Sequence, residues 1–367
     1  MADDDAPISL PEVREAIDRI DREIQRLISD RALLAQKVGV AKRGAADNSG
    51  YYRADREAQV LRLVVERNEG PLSDEESVRL FREIMSACLA QQAPLKIAFL
   101  GPPGTFTQSA ALKHFGHSIN DLPFATIDQV FHEVEAGNAD FGVVPIENST
   151  EGTVNHTLDL FVSSPLKICG EIELSIEQHL LGVGDTNLES IERICAHQQS
   201  LAQCRGWLRA NLPNVELIGV SSNAEGARRA RDEAGTAAIA GSAAAAVYSL
   251  SVLVSNIEDR ADNTTRFLVL GKTLLPKSGD DKTALLLSAN ESDGAGALYN
   301  LLTPLSEAGI NMSRIESRPS RRGVWDYVFF IDLDGHPEDP AVSEAVAAIE
   351  SVASLCRVIG AYPRAVL

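Results

Sequence analysis

The sequence predicts a multidomain chain: an all-helical segment, then an α/β segment, then a small α+β segment. Three observations carry this. Residues 8–93 keep a helical apolar period, residues from Pro94 onward alternate short apolar strands with helices, and the last 85 or so residues follow the order βαββαβ. At 367 residues the chain is also too long for one core, so two or three domains are expected.

The first helix has an apolar seam at Leu10, Val13, Ile17, Ile20, Ile24, Leu27, Leu34, Val38 and Ala41, with Arg31 set into it. Running from about Leu10 to Arg43, it would be roughly 50 Å long at 1.5 Å per residue. That stripe is too long to be buried by two short helices of one chain, so a second chain alongside is expected. Residues 44–50 read as a polar loop before a second helix through Leu61 and Val64. Ser73 and Glu76 form a capping box that opens a third helix through Phe81, Met85, Cys88 and Gln92.

In the middle segment, strands are expected at Lys96–Leu100, Phe141–Val144, Ile168–Glu173, Val215–Val220, Ala237–Ala240 and Arg266–Leu270. Helices fall between them, including Ser242–Ser249, and the polar stretch Pro276–Lys282 reads as a linker. The final segment reads as strand 284–289, helix 297–308, strands 311–317 and 327–333, helix 341–352 and strand 357–361. This is the order of a ferredoxin-like domain.

The net charge of −18, with no basic cluster, argues against nucleic acid and anionic membrane surfaces as partners. No apolar run approaches the ~20 residues of a membrane span. The first seven residues carry three Asp and no secretory pattern. Five scattered cysteines without a CxxC read as reduced thiols, without metal spacing. A cytoplasmic protein is expected.

Arg31 in an apolar seam must meet an anion, join an internal ion pair or reach the surface. Lys42, eleven residues on, falls about 20° from the same helix face. Arg14, seventeen residues earlier, lies roughly 25 Å away along the axis, so one helix cannot grip one small molecule with both arginines. In an antiparallel pair of chains, Arg14 of one could meet Arg31 of the other, and such a set suits a dicarboxylate.

The segments "VREAIDRID", "SDRALLAQKVGVAK", "YYRADREAQVL" and "LFREIMSACLAQQ" resemble the all-helical chorismate mutase family over about 8–93. The resemblance implies an intertwined homodimer in which Arg14 (from the neighbouring chain), Arg31, Lys42, Arg56, Glu57 and Gln92 bind chorismate. Arg53 and Cys88 stand where other members carry Asp and Ser. The implied rearrangement is pericyclic, with Arg31, Lys42 and Gln92 as catalytic groups. Lys42 and Gln92 are the implied donors to the ether oxygen.

Three polar clusters at strand ends mark the middle segment: Gly101 to Thr107, Val144 to Val154, and Asn263 to Phe267. Each alone reads equally well as a turn, and the first is neither a Walker loop nor GxGxxG. Together, "GPPGTFTQSAA", "VPIENSTEGTV", "CAHQQSLAQC" and "NTTRFLVLG" resemble the prephenate dehydratase family over about 95–272. That resemblance implies two α/β lobes, like those of periplasmic binding proteins, with prephenate in the cleft between them. It implies Thr105, Glu147, Asn148, Ser149, Thr150, His197, Gln203, Cys204, Thr265, Arg266 and Phe267 as the substrate set. Within it, Thr265 is expected to bond or protonate the leaving hydroxyl and Arg266 to hold a carboxylate. Cys204 is not expected to act as a nucleophile, since the reaction needs none.

The elements Gly296-Ala297-Leu298 and Glu316-Ser317-Arg318-Pro319 resemble the phenylalanine-binding ACT domain, over about 283–364. L-Phenylalanine is then the implied allosteric inhibitor, and removing residues 283–367 is expected to leave an active, unresponsive enzyme. The whole reads as an enzyme converting chorismate to prephenate, then prephenate to phenylpyruvate, without cofactor or metal. Two alternatives are a non-catalytic amino-acid sensor and a dehydratase site preferring arogenate. A dehydrogenase would need a nicotinamide fingerprint near residue 100, which Gly101-Pro102-Pro103-Gly104 does not supply.

Overall fold

The computed structural model describes residues 9–44, 52–184, 186–289, 294–320 and 327–366, with the side chains of 42–44 outside that description. The N-terminal segment is three helices: α1 (Leu10–Gly44), α2 (Ala54–Glu66) and α3 (Asp74–Ala90). Ser9 caps α1, its hydroxyl and backbone N–H both donating to the Glu12 carboxylate. The Ser73 hydroxyl accepts the Glu76 N–H at 3.2 Å and so fixes where α3 begins. α2 and α3 bury Leu61, Val78 and Met85 against each other. α1 packs on α3 at its C-terminal end, and the rest of its apolar seam, from Leu10 through Leu27 to Leu34 and Val38, is exposed.

The middle segment begins with β1 (Lys96–Leu100), α4 (Phe106–Phe115), β2 (Asn120–Phe124), α5 (Ile127–Ala136), β3 (Phe141–Asn148), β4 (Gly152–Thr153), α6 (Asn155–Ser163) and β5 (Lys167–Ser175). The chain then crosses to a second lobe. This comprises β6 (His179–Gly182), β7 (Arg193–His197), α7 (Gln198–Gln203), α8 (Arg205–Asn211), β8 (Glu216–Val220), α9 (Asn223–Asp232), β9 (Thr236–Ala240), α10 (Ser242–Tyr248) and β10 (Ser251–Val254). It returns to the first lobe as β11 (Thr264–Gly271), antiparallel to both β3 and β5. Among the described residues the second lobe is a five-stranded sheet in the order β10-β6-β9-β7-β8. Two crossings between the lobes, after β5 and before β11, leave a cleft at the strand ends, where open α/β sheets place ligands.

The C-terminal segment is β12 (Asp281–Ser288), α11 (Ala297–Glu307), β13 (Met312–Pro319), β14 (Tyr327–Asp334), α12 (Pro340–Val352) and β15 (Leu355–Pro363), the expected βαββαβ order. Its four strands do not form a separate sheet. β15 lies parallel to β5 with Gly360 opposite Ile168, joining both segments in one sheet ordered β13-β14-β12-β15-β5-β11-β3-β1-β2. A Cβ at Gly360 would come within 2.6 Å of the Ile168 Cβ, so the approach requires glycine. Leu286, Val328, Phe330, Ile359 and Tyr362 share a core with Leu158, Phe161 and Ile168.

This corrects one expectation and bears on a second. Residues 276–282 are not a loose linker: Asp281 is buried and accepts from the Ser278 hydroxyl and the Ser278 and Gly279 N–H groups, while Arg62 of α2 caps the Ser278 and Asp280 carbonyls. Removal of 283–367 would strip Ala284, Leu286, Val328, Phe330, Ile359 and Tyr362 from a shared core and leave β5 with an unpaired apolar edge. Such a truncation is expected to aggregate rather than to yield an unregulated enzyme.

Candidate active sites

The helical segment gathers part of its expected set. Arg31, half-buried on α1, lies within electrostatic reach of Glu57 on α2, and Arg82 Nε approaches the Glu57 carboxylate to 3.8 Å. Burial pushes the Glu57 carboxyl up to about 7, with Arg82 and then Arg31 opposing the shift. Gln92 packs on Gly39 of α1, its Oε1 buried with no hydrogen-bond partner among the described residues. Cys88 is buried on α3. Arg53 forks onto Asp55 at 2.8 and 2.6 Å and is committed within its own chain. Arg56 and Arg14 are exposed, Arg14 among the uncovered residues of α1. The Lys42 side chain lies outside the described residues.

The cleft between the lobes has a volume of about 330 Å³. Of the expected set, Thr105, Asn148, His197, Gln203 and Thr265 line it. The remainder do not, and strand alternation explains two of them, Glu147 and Arg266. Thr265 pairs with Asn148 and both face the cleft; Arg266 pairs with Glu147 and both face the other side of the sheet. There the Arg266 guanidinium bonds Glu171 and Asp332, each at 2.8 Å, and the Tyr362 hydroxyl at 3.3 Å. Burial alone would lower its pKa, but Asp332, the Tyr362 hydroxyl and Glu171 together hold it above the ordinary value. The expectation that Arg266 grips a substrate carboxylate is therefore corrected: it clamps the C-terminal domain to β5 and β11.

Glu147 turns the same way, 3.2 Å from Arg314 of β13. Phe267 is buried in the core beneath Thr265. Ser149 and Thr150 serve the loop: the Ser149 hydroxyl accepts the Thr264 N–H, and the Thr150 hydroxyl donates to Asn263. Cys204 is fully buried in the second lobe, its thiol pushed up to about 12 by burial, which leaves it unreactive.

Removing Arg266 would strand two buried carboxylates, Glu171 at 2% and Asp332 at 9% side-chain exposure. Arg266→Leu is expected to lower the unfolding free energy by about 3–5 kcal/mol, read as a shift in the urea midpoint. Lys282 also bonds Glu171, at 2.6 Å, so an unchanged midpoint would mean that Lys282 alone compensates the pair.

The cleft also holds residues that sequence reading passed over. Gln178, 1% exposed, donates to Ser200 at 3.1 Å, and Asn223 donates to Ser200 at 2.8 Å. Asn263 is 4% exposed and its Nδ2 has no partner among the described residues. Asn263 stood in a quoted motif without being singled out; Gln178 and Asn223 carry no local signal. The N-termini of α4 and α9 open on the cleft from opposite lobes, and among the described residues none that lines it is Arg, Lys, Asp or Glu. Negative groups would be met there by N–H dipoles and neutral side chains.

Thr265 is held in a defined way. Asn148 Oδ1 accepts the backbone N–H groups of Thr150 and Glu151, which fixes its amide so that Nδ2 donates to Thr265 Oγ1 at 2.8 Å. A hydroxyl oxygen that accepts in this way keeps its own proton for the cleft.

In the C-terminal domain, Gly296 takes φ +97° and starts α11 at Ala297, with Leu298 exposed. Along β13, Arg314, Glu316 and Arg318 face the first lobe: Glu316 accepts from Thr153 at 3.0 Å and Arg318 bonds Asp159. Ser317 and Pro319 point the other way, toward the helix side. The expected ligand motif is thus divided between the two faces of one strand.

No helix among the described residues is long and apolar enough to cross a membrane. Three family models match the chain: chorismate mutase type II over residues 13–93, prephenate dehydratase over 97–274 and the ACT domain over 291–351. A bifunctional chorismate mutase/prephenate dehydratase of Stutzerimonas stutzeri is 52% identical over 98% of both chains. One of Pseudomonas aeruginosa is 51% identical over the full length of both. Among solved structures, the prephenate dehydratase of Arthrobacter aurescens in complex with L-Phe is 36% identical, covering 74% of this chain and 90% of that one, with TM-score 0.68. Three matched domains in this order, and full-length relatives above half identity, place the chain in the bifunctional chorismate mutase/prephenate dehydratase family, an enzyme of both activities carrying an ACT domain.

Proposed function

We propose that the two reactions run at two separate sites and that L-phenylalanine, bound by the ACT domain, restrains the second. The observation carrying this reading is the neutral cleft with Thr265 at its wall, far along the chain from the Arg31–Glu57 group of the helices. Chorismate would be bound by Arg31, Lys42, Glu57 and Gln92 of one chain and Arg14 of the partner subunit. The pericyclic step needs a compact conformer and cations at the ether oxygen, which this set supplies without a nucleophile. The exposed apolar seam of α1 supports a homodimer, since a strip of this length is otherwise open to water.

In the cleft, Thr265 would hydrogen-bond the departing ring hydroxyl and relay a proton to it while regaining one from solvent, so that the hydroxyl leaves as water while carbon dioxide departs and the ring aromatises to phenylpyruvate. Asn263 Nδ2 and the α4 and α9 termini would hold the carboxylates. Five free cysteines, four of them buried, suit a reducing cytoplasm. Purified protein given chorismate alone is expected to release phenylpyruvate, and less of it when phenylalanine is added. Accumulation of prephenate alone would leave the cleft without its assigned role.

The solved relative with L-Phe bound supports the regulatory assignment. Gly296 sits in the left-handed region with open space around it, so Gly296→Ala strains only the backbone, by about 1–2 kcal/mol. The expected result is a rightward shift of roughly ten-fold in the phenylalanine dose response at unchanged uninhibited rate. An unaltered dose response would remove Gly296 from the regulatory site.

A further inference from the structure

A second cavity, of about 560 Å³, lies where all three domains meet. Its walls come from α2 and α3 of the helical segment, α4 and β5 of the first lobe, and the end of β15 with residues 364–366 beyond it. Several of its charged groups are satisfied. Glu171 holds Lys282 and Arg266, and Arg364 holds Asp280 and Asp334.

Two cations are held more loosely. Arg82, 13% exposed, meets its ion-pair partner Glu57 only at 3.8 Å and donates to the Val366 carbonyl at 3.4 Å, and its buried Nε has no hydrogen-bond partner among the described residues. Lys113, at the mouth, donates to the Glu173 carbonyl at 2.9 Å. Burial and then Arg82 lower the Lys113 pKa, so the two cations feel each other across the cavity. Beside them, Tyr52 and His114 share a hydrogen bond of 3.3 Å. Burial, and again Arg82, push His114 down to about 3, so it stands neutral, a polar group without charge. Leu61, Ile172, Pro363 and Val366 complete the lining with apolar surface.

We propose that this cavity is a binding site for a small aromatic carboxylate, its anionic end held by Arg82 and Lys113 and its ring against the apolar wall. An unbonded guanidinium N–H in a cavity that a second cation also lines can take one negative charge, and Glu57 and Glu173 in the same lining disfavour a doubly charged phosphate. The volume falls in the range of small-molecule sites. Because its walls belong to all three domains, an occupant touches the mutase helices, the dehydratase lobe and the C-terminal strand at once.

Phenylacetate is a suitable probe, followed by the histidine ring resonances of the full-length protein. His114 reports on this cavity and His197 on the dehydratase cleft. The expected result is a saturable shift of His114 below about 10 mM probe, weakened roughly ten-fold or more in Arg82→Gln and in Lys113→Gln. Lys113 lies at the exposed mouth, so its variant keeps the test valid should loss of Arg82 disturb the α2–α3 packing. A His114 ring that does not move, a shift confined to His197, or a His114 shift equal in the wild type and Lys113→Gln would each overturn the proposal.

Discussion

Replacing Thr265 with Ala is expected to lower dehydratase turnover by about 10²-fold or more, the usual contribution of a positioned proton donor. Mutase turnover should stay within about two-fold, because effects at separated, unlinked sites are independent. Thr265 stands on β11 with its hydroxyl oxygen already accepting from Asn148, so its proton is directed at the cleft. The side chain is 9% exposed and small, and its removal leaves β11 paired with β3 and β5 through the backbone. Thr265→Ser keeps the hydroxyl and should recover most of the rate, which a purely structural role of the methyl group would not allow. Separate assays with chorismate and with prephenate check this, and equal loss of both activities would sink the assignment.

The second large effect concerns the helices. Arg31→Ala and Arg14→Ala are each expected to lower mutase turnover by about 10²- to 10³-fold, as loss of one preorganised charge donor does. Mixed in equal amounts and allowed to exchange subunits, the two inactive variants should regain roughly a quarter of wild-type mutase activity. Half of the dimers would be mixed, and each mixed dimer holds one site with both arginines. The reason is distance: the two residues are separated by about 25 Å of helix and cannot meet on one ligand unless different chains supply them. No recovery on mixing would place Arg14 outside the site or return it to its own chain.

The reading of the sequence succeeded where local pattern decides structure. α1 runs Leu10–Gly44 against an expected Leu10 to Arg43, and Ser73 caps α3 as its spacing to Glu76 required. Five strands, β2, β4, β6, β7 and β10, went unread. β2 is the polar run Asn120–Phe124, and β6 and β10 are four-residue strands, too short to show a period.

Motif and side-chain direction must also be kept apart. "TTRF" correctly marked a strand, but adjacent residues on a strand face opposite sides. A motif therefore spans the cleft, with Thr265, and the domain junction, with Arg266. Which face meets the cleft depends on where β11 enters the sheet, between β3 and β5, and that is set by crossovers of many residues.

The amino-acid sequence by itself determined the order of the three domains, the long helix with an unburied seam and the strand that carries Thr265. These follow from periodicity and capping within a few residues. Only the tertiary structure decided that Arg266 is a clamp, that Gln178, Asn223 and Asn263 join the cleft, and that the C-terminal strands extend the dehydratase sheet through Gly360. Those outcomes depend on contacts between residues tens to hundreds of positions apart. A side chain's role there is set by which buried partner reaches it, and the cost of an unpaired buried charge or a crowded Cβ is settled only once the chain has folded.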